Sequence, residues 1–267
     1  MHIIVPIKQV PETSNVKMDP VTGTMVREGV ESIINPLDLY AIETANQLKE
    51  IHGGNVTVIT MGPNNADKAL REALAMGCDD AVLITDRAFA GSDTWSTSYV
   101  LAKAIEKIGE YDLILCGERA TDGDTGQVGP NIASTLDVPL ITYVSKIESF
   151  DRKNNEVMVW RMTEYGYEKF QLSLPALLTV VKEISFPRLP TLRGKQRARS
   201  AEITIFSTAN LDVDKDKIGL KGSPTRVIKI ETPKVTRGGT IVKPTDDQGL
   251  EDAVNGLVEF LKAKELI

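Results

Sequence analysis

The stretch from Asp112 to Pro139, DLILCGERATDGDTGQVGPNIASTLDVP, holds three pieces in succession. Asp112–Cys116 is a short apolar run between a charge and a glycine, the pattern of a buried strand. Gly117–Gly126 is polar, with three glycines and two further aspartates, and reads as a loop. From Thr125 to Leu136 the apolar residues Val128, Ile132, Ala133 and Leu136 recur at helical spacing, with Thr125 placed as an N-cap. Strand, glycine-bearing loop and helix form the geometry in which backbone N–H groups and a helix N-terminus hold a phosphate. Gly117, Gly123 and Gly126 permit close backbone approach and positive φ. Asp122 and Asp124 would repel a phosphate they faced; they suit ribose hydroxyls or the helix cap. The same pattern also fits an ordinary, well-capped βα loop.

The preceding residues repeat this unit. Ile3–Ile7 reads as a first strand, with Pro6 marking its end because proline cannot donate to a ladder. Gln9–Ile34 is rich in turn residues and reads as a long excursion with a small hairpin near Met25–Arg27; loops of that length are usually functional. Asn35-Pro36 opens a helix, Asn at N-cap and Pro at N1, which Gly53-Gly54 stops. Asn55–Thr60, helix Asn64–Met76, Asp80–Thr85 and a helix capped by Ser92 or Asp93 and running to Ile108 follow. Four strand-to-helix alternations predict an α/β fold, a parallel sheet with helices on both faces. Ligands of such sheets sit at the carboxyl ends of the strands, where the loops after Pro6, Met61, Asp86 and Gly117 gather.

After Pro139 the pattern changes. Leu140–Ile147, Glu156–Met162, Tyr167–Leu172 and Ala176–Val181 read as strands joined by turns at Arg152–Asn155 and Tyr165-Gly166, an antiparallel addition to the sheet. From Phe186 the chain reads as loop, with two prolines and five basic residues between Pro187 and Arg199. It is either a solvated linker or a proline-stiffened docking segment with Leu192 at its tip. Leu211–Arg226 reads as a polar connection and Gln248–Lys264 as an amphipathic helix with Leu250, Val254, Leu257, Val258 and Leu261 on one face. The expected division is a nucleotide-binding domain at 1–185 and an arm at 186–267, too poor in apolar residues for its own core and so packed on another chain.

Composition narrows the function classes. The chain has 267 residues, 42% hydrophobic and 25% charged, with a net charge of −6, which disfavours nucleic acid as the main partner. No apolar run approaches the ~18 residues that span a bilayer, and MHIIVPIKQV lacks a basic leader before a long apolar core, so a cytoplasmic protein is expected. Cys78 and Cys116 are isolated in apolar surroundings and read as buried thiols. His2 and His52 lie near no other candidate ligand, so metal sites and histidine-based catalysis are not expected.

Several stretches, in order and spread over essentially the whole chain, resemble the β (small) subunit of electron transfer flavoproteins. They are VPIKQVP near the start, SIINP at Ser32–Pro36, TMGP at Thr60–Pro63, EALAMGCDDAVLITD at Glu72–Asp86, GERATDGDTGQVGP at Gly117–Pro130, FPRLPTL at Phe186–Leu192 and LKGSPT at Leu220–Thr225. The resemblance implies an adenine nucleotide α-hydrolase-like (Rossmann-like) sheet domain with a C-terminal arm wrapping an α subunit. By position it implies nucleotide binding by Pro6, Asn35, Pro36, Leu37, Asp38, Met61, Gly117, Glu118, Arg119, Ala120, Thr121, Asp122, Gly123, Asp124, Thr125, Gly126, Gln127 and Val128. Pro6 departs from the small residue usual in the family and removes a backbone N–H; Gly126 stands for a frequent alanine. No side chain is expected to act as a catalytic nucleophile or base.

Asp122-Gly123-Asp124-Thr125-Gly126-Gln127-Val128, together with DRAFAGSDT at Asp86–Thr94, resembles the flavin-bifurcating group, in which FAD replaces the structural AMP of the common form. That group implies hydride exchange between NAD(H) and this subunit's FAD, and electrons shared between ferredoxin or flavodoxin and, through FAD of the α subunit, a flavin dehydrogenase of the lactate or acyl-CoA type. The loop at Leu192 matches the family's dehydrogenase-docking loop, with Arg193, Lys195, Arg197 and Arg199 placed to steer an acidic partner. Two alternatives stand beside this reading: a non-bifurcating β subunit with AMP, and a stand-alone nucleotide-binding regulatory domain.

Overall fold

The computed structural model describes residues 1–12, 17–18, 25–26, 32–228, 239 and 241–267. In chain order the elements are β1 (His2–Pro6), β2 (Gln9–Pro11), β3 (Lys17–Met18), β4 (Met25–Val26), β5 (Ser32–Ile34), α1 (Pro36–His52), β6 (Asn55–Met61), α2 (Asp67–Met76), β7 (Asp80–Ile84) and α3 (Thr94–Ile108). There follow β8 (Leu113–Gly117), α4 (Val128–Leu136), β9 (Leu140–Asp151), β10 (Glu156–Thr163), β11 (Gly166–Ser173), β12 (Ala176–Val180), α5 (Leu192–Ser200), β13 (Thr204–Phe206), α6 (Gly219–Gly222) and α7 (Asp247–Ala263).

Nine strands make one sheet in the order β11-β10-β9-β12-β8-β1-β6-β7-β13, parallel except for the β9–β10–β11 meander. Strand alternation splits the core in two. Ile3, Val5, Leu113 and Leu115 turn toward α1 and α2, while Ile4, Ile114 and Cys116 turn toward α3 and α4. All of these are buried, and each such aliphatic side chain contributes about 1.5–3 kcal/mol by leaving water. The expected α/β sheet with helices on both faces is what the chain forms.

Four details differ from the sequence reading. First, Ala176–Val180 is not part of an antiparallel addition; β12 lies parallel between β8 and β9. Its five residues are all buried, the mark of a central parallel strand. Second, α4 begins at Val128 rather than at Thr125, because Asp124 and Gly126 both have positive φ, 51° and 61°, and a left-handed residue cannot continue a right-handed helix. Third, Leu192–Ser200 is a helix, not loop. Thr191 caps it by accepting from the Gly194 N–H, and it packs on α2, with Arg71 donating to the Ala198 carbonyl at 2.6 Å. Gly194 is required there, since a Cβ would stand 2.2 Å from the Ala75 carbonyl oxygen. Fourth, Thr204–Phe206 adds an unforeseen edge strand beside β7.

In consequence the first compact unit runs Met1–Lys229, and 186–228, which the sequence reading placed in the arm, belongs to it. The second unit, Ile230–Ile267, contains α7, whose N-terminus Asp246 caps. The expected hairpin near Met25 is present as β3 paired with β4; Arg27 and the turn signals Asp19-Pro20 and Thr22-Gly23 lie outside the described residues. No described helix is long and apolar enough to cross a membrane.

Candidate functional site

Because β8, β1, β6 and β7 are parallel neighbours, their carboxyl ends form one edge. Pro6, Met61 and Gly117 end three of these strands, and the loop 117–127 leaves from Gly117 toward α4. Asn35 to Asp38 reach the same place from α1.

Asn35 ties the two segments together. It occupies the N-cap position of α1, as expected, but its side chain does not cap that helix. Its Nδ2 donates to Asp38 Oδ1 and to the Arg119 carbonyl, both at 2.9 Å, and its Oδ1 accepts from the Thr121 N–H at 3.1 Å. Asp38 in turn accepts from the Lys8 N–H at 2.7 Å. Gly117 sits against this pair so closely that a Cβ would lie 2.4 Å from Asp38 Oδ1 and 2.8 Å from the Leu37 carbonyl carbon. The start of α1, the end of β1 and the first turn of the loop are therefore one packed unit, with Asn35 and Asp38 buried at its centre.

The acids of the loop are answered by cations. Lys8 Nζ reaches Asp122 Oδ1 at 2.6 Å and Arg119 Nε reaches Asp124 Oδ1 at 3.0 Å. These exposed pairs add little stability, but they neutralise the two charges that would otherwise oppose a phosphate. A tight turn, with Asp124 N–H donating to the Ala120 carbonyl at 2.7 Å, folds residues 120–124 back on themselves. Thr121 to Thr125 are exposed. No side chain caps α4, which leaves its N-terminal amides and dipole for a ligand. Thr94 Oγ1 on α3 donates to Gln127 Oε1 at 3.1 Å, fixing the far end of the loop. Lys8 and Thr94 were not singled out from sequence. Lys8 had a usable signal in standing two residues past the end of β1; Thr94 had none beyond its place beside the Asp93 cap.

Burial raises the Asp38 carboxyl, against the hydrogen bonds from Asn35 and the Lys8 and Gly117 amides, to about 7. The native state then keeps a proton that the unfolded chain, with an ordinary aspartate near 3.9, releases as pH rises from about 4 to about 7. The contribution of Asp38 to stability therefore falls across that window. In the αβ heterodimer, Asp38→Asn should remove this decline. Unfolding measured at several pH values should show the variant gaining on the wild type by a few kcal/mol between about pH 4 and pH 7; parallel curves would refute it.

The docking candidates fall into two groups. Leu192, Arg193 and Lys195 are exposed. Arg197 is exposed as well but is anchored through its Nη2, which donates to the Leu74 and Cys78 carbonyls at the end of α2 at 2.8 and 2.9 Å. Cys78 and Cys116 are buried free thiols, and burial pushes the Cys78 thiol up to about 12.

A family described as "Electron transfer flavoprotein domain" matches residues 22–211. The "Electron transfer flavoprotein subunit beta" of Thermoanaerobacterium thermosaccharolyticum is 50% identical over the full length of both chains. The "Caffeyl-CoA reductase-Etf complex subunit CarD" of Acetobacterium woodii is 45% identical, again over both full lengths. "Protein FixA" of Azotobacter vinelandii is 47% identical over 88% of this chain and 85% of its own. A parallel sheet with an uncapped helix behind a glycine-bearing loop, a family match over most of the chain and relatives this similar from end to end lead to one assignment: the chain belongs to the electron transfer flavoprotein family, as a β subunit.

Proposed function

We propose that this β subunit binds FAD on the loop 117–128 and serves a flavin-bifurcating complex that links NAD(H), ferredoxin or flavodoxin, and a flavin dehydrogenase of the lactate or acyl-CoA type. The observation that carries the proposal is the nucleotide loop itself, whose Asp-Gly-Asp-Thr-Gly-Gln-Val run has the bifurcating pattern and whose geometry suits a dinucleotide. The residues present fit the group. Asp122 and Asp124 are paired with cations, Gly123 has open space where a Cβ would stand, and the α4 N-terminus can accept a diphosphate. Pro6, Asn35 to Asp38, Met61 and Gly117 to Val128 would hold the nucleotide. FAD, when bound, supplies a two-electron acceptor for hydride and a one-electron carrier in one ring system.

The chain's own share is binding and placement. Asn35 sets the height of Arg119–Thr121, Lys8 and Arg119 quench the loop's acids, and Thr94 orients Gln127. The similarity to a subunit named for a caffeyl-CoA reductase complex supports an acyl-CoA-type partner. An α7 that keeps Leu250, Val254, Leu257 and Phe260 more than half exposed supports an arm that packs on the α subunit. A cytoplasmic location is part of the same proposal.

The test is to co-express the chain with its α subunit, release the cofactors with acid and count them. Two FAD and no AMP per heterodimer is the expected result. One FAD and one AMP would replace this reading with that of a simple electron carrier whose β-subunit nucleotide is structural.

A further inference from the structure

Between β12 and α5 the chain crosses from α1 to α2, and it is fastened at both ends. Ser185 is buried against α1, its Oγ donating to the Tyr40 carbonyl at 3.2 Å. At the other end α5 is held to α2 through Gly194, Arg71 and Arg197. Between these points Arg188 meets two carboxylates of α1. Its Nε and Nη2 donate to Glu43 at 2.7 and 3.0 Å, its Nη1 and Nη2 donate to Glu50 at 2.5 and 3.2 Å, and its backbone N–H donates to Glu43 Oε2 at 3.1 Å. Glu43 and Glu50 are seven residues apart, two turns of α1, so they stand on one side of the helix.

Glu43 is buried, and its own burial would raise its carboxyl. The hydrogen bonds from Arg188 and Gln47 outweigh this and hold it below the usual carboxylate range. A two-carboxylate grip on one planar guanidinium fixes direction as well as distance, which a lysine cannot do.

On the clamped segment three large apolar side chains point to solvent: Phe186, Leu189 and Leu192 are 93%, 86% and 87% exposed. Pro187 and Pro190 restrict the backbone between them. Exposed Arg193, Lys195 and Arg199 follow at once on α5. A chain that spends two acids, one arginine and two prolines on holding a segment whose apolar groups are bare is holding them for something.

We infer that Arg188 is a positioning residue for dehydrogenase docking: clamped by Glu43 and Glu50, it presents Phe186, Leu189 and Leu192 as one preformed apolar surface for a partner pocket with an acidic rim. This rests on the dehydrogenase-docking role that the family resemblance implies for the Leu192 loop and adds what sets its shape. A preformed loop enters the pocket without an ordering cost, so loss of the clamp weakens association while electron transfer within the formed complex continues.

The experiment uses the αβ heterodimer with a flavin dehydrogenase of the acyl-CoA or lactate type, whichever turns over with the wild type. It reads steady-state kinetics in dehydrogenase concentration and deuterium uptake of residues 186–192. Arg188→Gln should raise KM for the dehydrogenase about tenfold with kcat changed less than about twofold, and should speed uptake in the loop by about tenfold. Arg188→Lys, which keeps charge and loses the fork, should fall between. Glu50→Gln, at the exposed end of the clamp, gives a milder shift of both readouts and serves if Arg188→Gln does not assemble.

Leu192→Ala reads the docking role separately, since it should raise KM without speeding uptake at 186–191. An unchanged KM in Leu192→Ala would remove the docking role, and this inference with it. A raised KM there, with Arg188→Gln and Glu50→Gln moving only one of the two readouts or neither, would keep the docking role and overturn the part given to Arg188.

Discussion

Gly117→Ala should cost the heterodimer most of its β-subunit nucleotide and about 3 kcal/mol of stability. The reason is space, not φ. A methyl group at 117 would lie 2.4 Å from Asp38 Oδ1 and 2.8 Å from the Leu37 carbonyl carbon. The first contact is with a carboxylate already held by Lys8 and Asn35, and the second is with backbone at the first turn of α1. Neither can give way alone, so the wedge must part β8 from α1. Overpacking of this kind typically costs 1–3 kcal/mol, and the upper figure applies because the displaced atoms are backbone and a hydrogen-bonded acid.

For a chain of this size that is a fall of about 6–12 °C in the unfolding midpoint. The same wedge tilts residues 118–121, so nucleotide retained through gel filtration should drop about tenfold or more, to the extent that 1.4 kcal/mol of lost binding is a factor of ten. Thermal unfolding and cofactor counting on the same preparation check both effects. A midpoint within about 2 °C of wild type with full cofactor would mean that the packing at Gly117 is not what positions the loop. Gly123→Ala is the internal contrast, because a Cβ there meets nothing within 4 Å; it should leave the unfolding midpoint where it was.

What the sequence disclosed and what it withheld divide along a physical line. The repeated switch from a five-residue apolar run to a 3.6-residue period located β1, β6, β7, β8 and the helices between them, because burial on both faces of a parallel sheet and on one face of a helix writes a local pattern. Gly53, Gly77 and Gly109 marked helix ends for the same reason: each has positive φ in the fold and each is visible as a residue type.

Where contacts are long-range the sequence was silent. Nothing local in LRGKQRARS announces a helix, since only Ala198 is buried and the segment is held by Arg71 and by the carbonyls of α2. The place of β12 between β8 and β9 is a matter of pairing across 63 positions of chain to β8 and 36 to 37 to β9. Its continuous apolar run was the available sign of a central strand, and the neighbouring hairpins masked it. In the site, the loop and the Asn35–Asp38 segment could each be named, but not the two hydrogen bonds from Asn35 that join them across 84 and 86 positions. The late start of α4 turned on Asp124, an aspartate in a conformation that favours glycine and asparagine, which no spacing rule foretells.

The hydrogen bonds of Asn35, two to the loop and one to Asp38, give the second large effect. Asn35→Ala should loosen residues 119–124 and release the nucleotide while leaving the sheet intact. Asn35 is 1% and Asp38 6% exposed, so the Asp38 carboxyl cannot readily turn to water when Asn35 is truncated, while Arg119 and Thr121 lie on the exposed loop and lose what ties them to the helix start. The Arg119 carbonyl and the Thr121 N–H would each lose a partner, and Asp38 would lose a donor to Oδ1. A buried polar group left without its bond costs about 1–3 kcal/mol. Asp38 answers by holding its proton more firmly, because the Asn35 bond is one of the influences that lower a carboxyl already near 7. The expected total is about 3 kcal/mol, below the simple sum because groups in one network do not add.

The decisive readout is local. Amide exchange at Thr121 and its neighbours should accelerate at least about tenfold, while amides of β1 and β8 exchange as in the wild type. Asn35→Asp separates shape from hydrogen bonding. It keeps the volume but sets a second carboxylate 2.9 Å from Asp38 Oδ1, where the Nδ2 donor now stands, and like charges in such a place cannot both ionise. It should therefore be no milder than the alanine, and its defect should deepen as pH rises through 7. Normal exchange at Thr121 in Asn35→Ala would show that the Lys8–Asp122 pair or the bound nucleotide holds the loop, and Asn35 would revert to an ordinary helix-start residue.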